Sequence, residues 1–254
     1  MNFLKKAIFG AAAALALASS AYASPVNVGG VIWDPESLSD FKGVSASIIQ
    51  NIAADGSLSG FGIITSLNNN GVASFCPGCE LTFAFGGYSP VALQATPSLG
   101  DAAGTTISYT GGWLKVYVDN TPNVTNPLDP NTLNSGNATD GQLWLDLVGN
   151  EINGVSLIGI NNFQSFGTLN GSGRFDVVGG LAKLNFDTNT MPNGADLTFS
   201  TTFSDFPLIV GGVPVTSTGG GTFKGNSIPE PGSMALVGLG LLAAGALRRR
   251  QASK

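Results

Sequence analysis

Apolar side chains recur at every second position through much of residues 24–218, and no window of a dozen residues there carries the spacing of a helix. A strand turns successive side chains to opposite faces, so this period commits the body of the chain to β-structure. Gly, Asn, Asp and Pro break the runs and supply turns. Candidate strands cover 26–33, 45–52, 57–67, 80–85, 91–95, 105–109, 113–118, 142–148, 163–169, 173–178, 182–186, 197–203 and 214–218. Residues 39–51 offer a short helix as an alternative, because Ile48 and Ile49 interrupt the alternation. Many short strands without an internal repeat predict an all-β body, an antiparallel β-sandwich or jelly roll in preference to a barrel or propeller.

The chain has no histidine. That removes the usual general base, the imidazole of nucleophilic triads and the commonest transition-metal ligand, and so excludes Ser-His-Asp and zinc hydrolases. Carboxylate chemistry survives, with Asp119, Asp146, Asp176 and Asp187 as the available acids, but their spacing selects no pair for a glycosidase. Between Ser24 and Ser227 there are five basic and fifteen acidic residues, a net charge of −10. Such a body does not attract nucleic acid or anionic lipid.

The two clearest strands lie at 113–119 and 141–147. Leu114, Val116 and Val118 share one face of the first, with Trp113, Lys115 and Tyr117 on the other. In the second, Leu143, Leu145 and Leu147 oppose Gln142, Trp144 and Asp146. Trp113, Tyr117 and Trp144 are therefore candidate sugar-stacking residues on an outward face. The longest polar insertion, 119–140, separates these strands; its Asp119, Asp129 and Asp140, together with asparagine amides, are candidate ligands for calcium, which takes hard oxygens. A second cluster comprises Asp187, Asn189, Asn193 and Asp196. Both clusters lack EF-hand spacing, and their residues also suit turns.

Cys76-Pro77-Gly78-Cys79 holds the only cysteines. Pro-Gly at the centre predicts a type II turn, and in an exported chain the flanking thiols form a structural disulfide rather than a redox centre, since no βαβ context accompanies them. Paired glycines at 86–87, 111–112, 179–180 and 211–212 read as turns, and 219–228 reads as a glycine-rich spacer.

Both termini carry addresses. Lys5 and Lys6, the apolar run 7–18 and Ala21-Tyr22-Ala23 form a signal peptide over residues 1–23, with cleavage between Ala23 and Ser24. At the other end, Ser227-Ile228-Pro229-Glu230-Pro231-Gly232 leads into an uncharged apolar run, 233–247, that stops at Arg248-Arg249-Arg250. The prolines break any upstream helix, and the run as a single hydrophobic helix covers about 22 Å, short for a hydrocarbon core of about 30 Å. Snorkelling arginines and bilayer thinning close the gap and hold the C-terminus in the cytoplasm.

Residues 229–254 resemble the PEP-CTERM sorting signal of Gram-negative bacteria: Pro229, Glu230 and Pro231, a transmembrane stretch, then Arg248, Arg249 and Arg250. The resemblance covers about a tenth of the chain. It implies an exosortase as partner, a membrane-embedded cysteine transpeptidase or protease, with cleavage near Pro-Glu-Pro and delivery to the cell envelope or beyond. It also implies an organism that makes extracellular polysaccharide. The expected organisation is a signal peptide (1–23), a body (24–218), a spacer (219–228) and a sorting tail (229–254). The expected function is a non-catalytic envelope or matrix protein without a firm cofactor, anchored transiently in the inner membrane and acting in adhesion, biofilm or floc structure. The alternative is a carbohydrate-binding module for exopolysaccharide, assisted by calcium.

Overall fold

A computed structural model of the chain describes residues 25–91, 106–126, 132–161, 169–204, 215–228 and 240–241. The chain divides into two units, Met1–Ser24 with Pro231–Lys254, and Pro25–Glu230. The signal peptide with Ala23 and Ser24, the Pro229-Glu230-Pro231 motif, the arginines Arg248 to Arg250 and Asp129 lie outside the described residues; of the run 233–247 only Gly240 and Leu241 are described, both helical. Among the described residues no helix is long and apolar enough to cross a membrane.

The second unit is all-β, as the alternation requires, but its sheet closes instead of splitting into two layers. A short hairpin, β1 (Val26–Val28) and β2 (Val31–Trp33), precedes the long strand β3 (Phe41–Ile52), where the helical alternative fails. There follow β4 (Leu58–Ile63), the small pieces β5 (Ser66–Leu67) and β6 (Asn70–Gly71), one helical turn α1 (Val72–Phe75), then β7 (Glu80–Pro90) and β8 (Thr106–Asp119). Next come β9 (Gln142–Gly149), β10 (Leu157–Asn161), β11 (Leu169–Gly179), the turn α2 (Lys183–Phe186), β12 (Leu197–Ser204) and β13 (Val215–Gly225). Each long strand pairs antiparallel with the next, and β13 returns to pair with β3, from Val215↔Ile52 to Gly225↔Phe41. The result is an up-and-down barrel of eight staves.

One stave is made in two pieces. β9 and β10 both lie between β8 and β11, one after the other. Residues 150–155 leave the ladder between them, which resumes where the Ser156 N–H donates to Tyr109 O at 2.9 Å.

The sandwich expectation fails at 219–228, where the composition predicts a glycine-rich spacer. β13 runs through Gly219, Gly220 and Gly221 and hydrogen-bonds on both edges. Its glycines answer to space: a Cβ on Gly219 would sit 2.6 Å from Phe203 Cδ1 and 2.8 Å from Phe203 Cα, and one on Gly220 3.0 Å from Ser45 O. The register also shifts between Gly219 and Gly221, where β3 carries one residue more than β13, a bulge that bends β3 and helps curl the sheet shut. The glycine pairs at 86–87 and 111–112 likewise lie within β7 and β8 rather than in turns, and the candidate strand at 182–186 is largely the helical turn α2.

An eight-stranded barrel is just wide enough for its side chains to fill. Among the aliphatic side chains that fill it, phenylalanines form a continuous chain from Phe83 to Phe223 (ring centroids 5.2 Å apart), Phe223 to Phe199 (4.5 Å) and Phe199 to Phe175 (6.3 Å). Each such buried ring stabilises the fold by roughly 2–3 kcal/mol. Opposite them β4 offers glycines: a Cβ on Gly62 would lie 2.5 Å from Phe83 Cζ. The end of the barrel where β3 begins is plugged by Trp33, Phe41, Trp144 and Phe186, with centroids 4.5 to 6.5 Å apart.

Because Gly219 is a barrel position, Gly219→Ala should lower unfolding free energy by about 2 kcal/mol or more in urea titration, the cost of forcing a methyl against backbone. A wild-type midpoint in that variant would return 219–228 to the status of a spacer.

Candidate functional site

The plugged end of the barrel gathers nearly every feature singled out in the sequence. The chain enters and leaves the barrel there, and the segments 64–79, 120–141 and 180–196 connect strands there.

At one edge, Glu80 opens β7 directly opposite Asp119, the last residue of β8. Glu80 is 3% exposed, and its two carboxylate oxygens accept the N–H groups of Asn123 (3.2 Å) and Val124 (3.0 Å). Burial pushes its carboxyl above the usual glutamate value, the nearby Asp119 and Asp140 push the same way, and the two amides offset part of this. Asp119 Oδ1 accepts the N–H and hydroxyl of Thr121, each at 2.8 Å, and Asp140 Oδ2 accepts Asn123 Nδ2 at 2.7 Å. The long insertion is thus braced at its root. Its Leu133 and Ala138 are buried with Ile63 on the outer side of β4. Sequence reasoning passed over Glu80 as an ordinary strand residue.

Asp196 does the same for the second cluster. Its Oδ1 accepts the N–H groups of Thr188 (2.7 Å) and Asn189 (2.6 Å), and its Oδ2 accepts that of Val177 (2.7 Å). Asp119, Asp140 and Asp196 therefore point oxygens at protein donors, and among the described residues no group of three or more His, Cys, Asp or Glu is arranged to hold a metal. Of the acids weighed for glycoside hydrolysis, Asp146 pairs with Lys115 (3.4 Å), Asp187 with Lys183 (3.9 Å), and Asp176 accepts Asn150 Nδ2 at both oxygens (2.9 and 3.1 Å). Partial burial, with Asp196 and Asp187 behind it, raises the Asp176 carboxyl.

The three aromatic candidates separate. Trp113 faces outward and is 36% exposed; its indole lies across Gly86 and Gly87, where added Cβ atoms would come within 3.0 Å of Cζ2 and 2.8 Å of Cδ1. Tyr117 is half-buried on the same face. Trp144 is a correction: it is fully buried in the plug and donates Nε1–H to Val28 O at 3.0 Å. The register shifts between Val116 and Tyr117, and the extra residue on β9 turns the indole inward.

Cys76 and Cys79 are joined in a disulfide, Cα atoms 5.0 Å apart, with Gly78 taking the positive φ of 81° that the turn requires. Both sulfurs are buried.

Toward the opposite end the interior keeps a cavity of about 30 Å³, walled by apolar residues and by Gln50, Tyr88, Tyr109 and Thr201. Gln50 is 3% exposed and its Nε2 has no partner among the described residues. Burial alone raises both phenols, that of Tyr109 to about 12 and that of Tyr88 further. The space admits a water or two.

The last described residues of the body, Ser227 and Ile228, are tied down at the plugged end. Ser227 donates its N–H to Asp40 Oδ2 (2.8 Å) and its hydroxyl to Asp40 Oδ1 (2.7 Å), and its oxygen accepts Trp33 Nε1–H (2.9 Å). Ile228 donates its N–H to Asn185 O (2.8 Å) and accepts Asn185 Nδ2 at its carbonyl (3.2 Å). No sequence signal ties these distant residues together.

Glu80 yields a signed pH prediction. Its carboxyl titrates higher in the folded protein than in the unfolded chain, so the unfolded chain loses that proton first and stability falls as pH rises between the two values. Glu80→Gln should flatten urea midpoints across the window just above the usual glutamate value; an unchanged pH slope would exclude Glu80 as its source.

No curated protein and no solved structure matches the chain. Residues 227–250 match the family described as the PEP-CTERM protein-sorting motif. The chain carries this motif directly after its last barrel strand, and the motif implies an exported protein processed by an exosortase-type enzyme.

Proposed function

We propose that the chain is a non-catalytic component of the cell envelope or extracellular matrix, delivered as a closed barrel and acting in adhesion, biofilm or floc structure. One observation carries the reading: the sorting motif begins at residue 227, two residues after the last barrel strand ends at Gly225. Cutting the tail therefore releases a complete barrel. In this reading residues 1–23 are removed as a signal peptide between Ala23 and Ser24, the run 233–247 holds the precursor briefly in the inner membrane, and no cofactor or calcium is required. The net charge of −10 keeps such a body soluble in a crowded matrix. Its sheet closure supports the same role, because a closed barrel leaves no long unpaired edge to aggregate.

A second reading, binding of the cell's own exopolysaccharide, rests on Trp113, with Lys115 and then Tyr117 further along the same face of β8. An indole laid over glycines presents its outer face to a flat partner, and a sugar ring is one. Trp144 has no part in it.

Intact mass spectrometry of protein from envelope and medium tests the first reading. The expected form begins at Ser24, ends near Pro229, and disappears when Pro229, Glu230 and Pro231 are replaced by alanine. A form that keeps Arg248 to Lys254 in both strains would refute it. For the second, Trp33 and Trp144 are buried, so a ligand-induced change in tryptophan emission should come from Trp113 and vanish in Trp113→Phe. Emission indifferent to purified exopolysaccharide would end that reading.

A further inference from the structure

Asp40 stands out before its partners are considered. It is a non-glycine residue with φ of 47°, in the left-handed region that side chains seldom adopt. The surroundings fix it there: its N–H donates to Ser37 O (2.8 Å), while its carbonyl accepts Asn68 Nδ2 (2.6 Å) and the Ser37 hydroxyl (3.1 Å). Backbone held in a sparse conformation by several independent bonds marks a position with work to do. Both oxygens of its side chain serve one residue, Ser227, which is 187 positions away. Trp33, anchored in the aromatic plug, adds a bond to the same hydroxyl. Asn185, on α2, takes both backbone polar groups of Ile228.

Ser227 and Ile228 are also the first two residues of the matched sorting motif. Proteolytic clefts bind an extended substrate through its backbone N–H and C=O groups, in the manner of an added strand. Ile228 has both of these committed to the barrel, and Ser227 has its N–H committed. We infer that Asp40, Trp33 and Asn185 form a clamp that sets the body-side limit of the segment open to cleavage. The Ser227–Ile228 bond and those before it are withheld from a processing enzyme while the body is folded, and the released protein keeps Ser227 and Ile228 pinned at its new C-terminus. The cellular part of this inference rests on tail processing as proposed above; the clamp itself does not.

Amide hydrogen exchange on the purified full chain in detergent tests the clamp, because the N–H groups of Ser227 and Ile228 are held by Asp40 Oδ2 and Asn185 O. In the wild type both amides should exchange slowly. In Asp40→Ala the Ser227 amide should exchange about tenfold faster or more, as expected for loss of hydrogen bonds to a charged group. Should Asp40→Ala fail to fold, Ser227→Ala removes both hydroxyl bonds without altering a barrel strand and should accelerate exchange at the same position. Equal rates in wild type and a folded variant, or wild-type amides at 227 and 228 that exchange as fast as an unstructured peptide, would overturn the clamp. In cells, the mature C-terminus read by mass spectrometry should fall at or after Ile228 in wild type and become ragged upstream of it in the variants. A tail retained in every strain together with protected Ser227 and Ile228 amides would refute the processing reading while supporting the clamp.

Discussion

The architecture depends on one seam. The first long strand and the last meet along ten register pairs, from Phe41↔Gly225 to Ile52↔Val215, and without them the remaining strands form an open sheet with two long bare edges. The seam is made where side chains are absent. Gly219 to Gly221 let β13 lie between β3 and β12 at a spacing that a methyl group would disturb. Closure in turn creates the interior that Phe83, Phe175, Phe199 and Phe223 fill, so polypeptide hydrogen bonding and aromatic packing stand or fall together.

The plugged end concentrates what the barrel needs to stay sealed. Carboxylates there serve as braces: Glu80 takes two backbone amides, Asp196 takes three, and Asp40 holds the departing chain. A buried carboxylate satisfied by amides fixes a loop without a partner cation, and this body has only five basic residues between Ser24 and Ser227. The chemistry of the acidic surplus is largely internal to the fold at these sites.

Sequence carried the local facts and missed those set by distant pairing. Period-two alternation was enough for the β class and for the faces of β8, where Leu114, Val116 and Val118 point inward. It could not distinguish a sandwich from a barrel, because that depends on whether β3 and β13 meet across some 170 residues. Glycines 219–221 have the composition of a linker and the location of a strand; only their neighbours tell the two apart. Period-two alternation places Trp144 on the outer face, and a single extra residue in the β9 register reverses it. The sorting tail was legible because it is a linear motif, identified from residue order alone. The clamp was not, since Trp33, Asp40 and Asn185 have no shared pattern until the fold brings them to Ser227 and Ile228.

The divided stave has a consequence for how this fold can vary. Between β9 and β10 the chain leaves the ladder and returns, turning through Asn153 and Gly154 at positive φ, with open space around the Gly154 position. The ladder is sealed on either side by Asn150 N–H to Arg174 O and Ser156 N–H to Tyr109 O. Additional sequence at that turn lengthens an excursion already outside the barrel wall, and loop-closure entropy grows only slowly with length. The position is a natural port for inserted peptides, through which an exported barrel could display foreign sequence while its hydrogen-bonded wall stays intact.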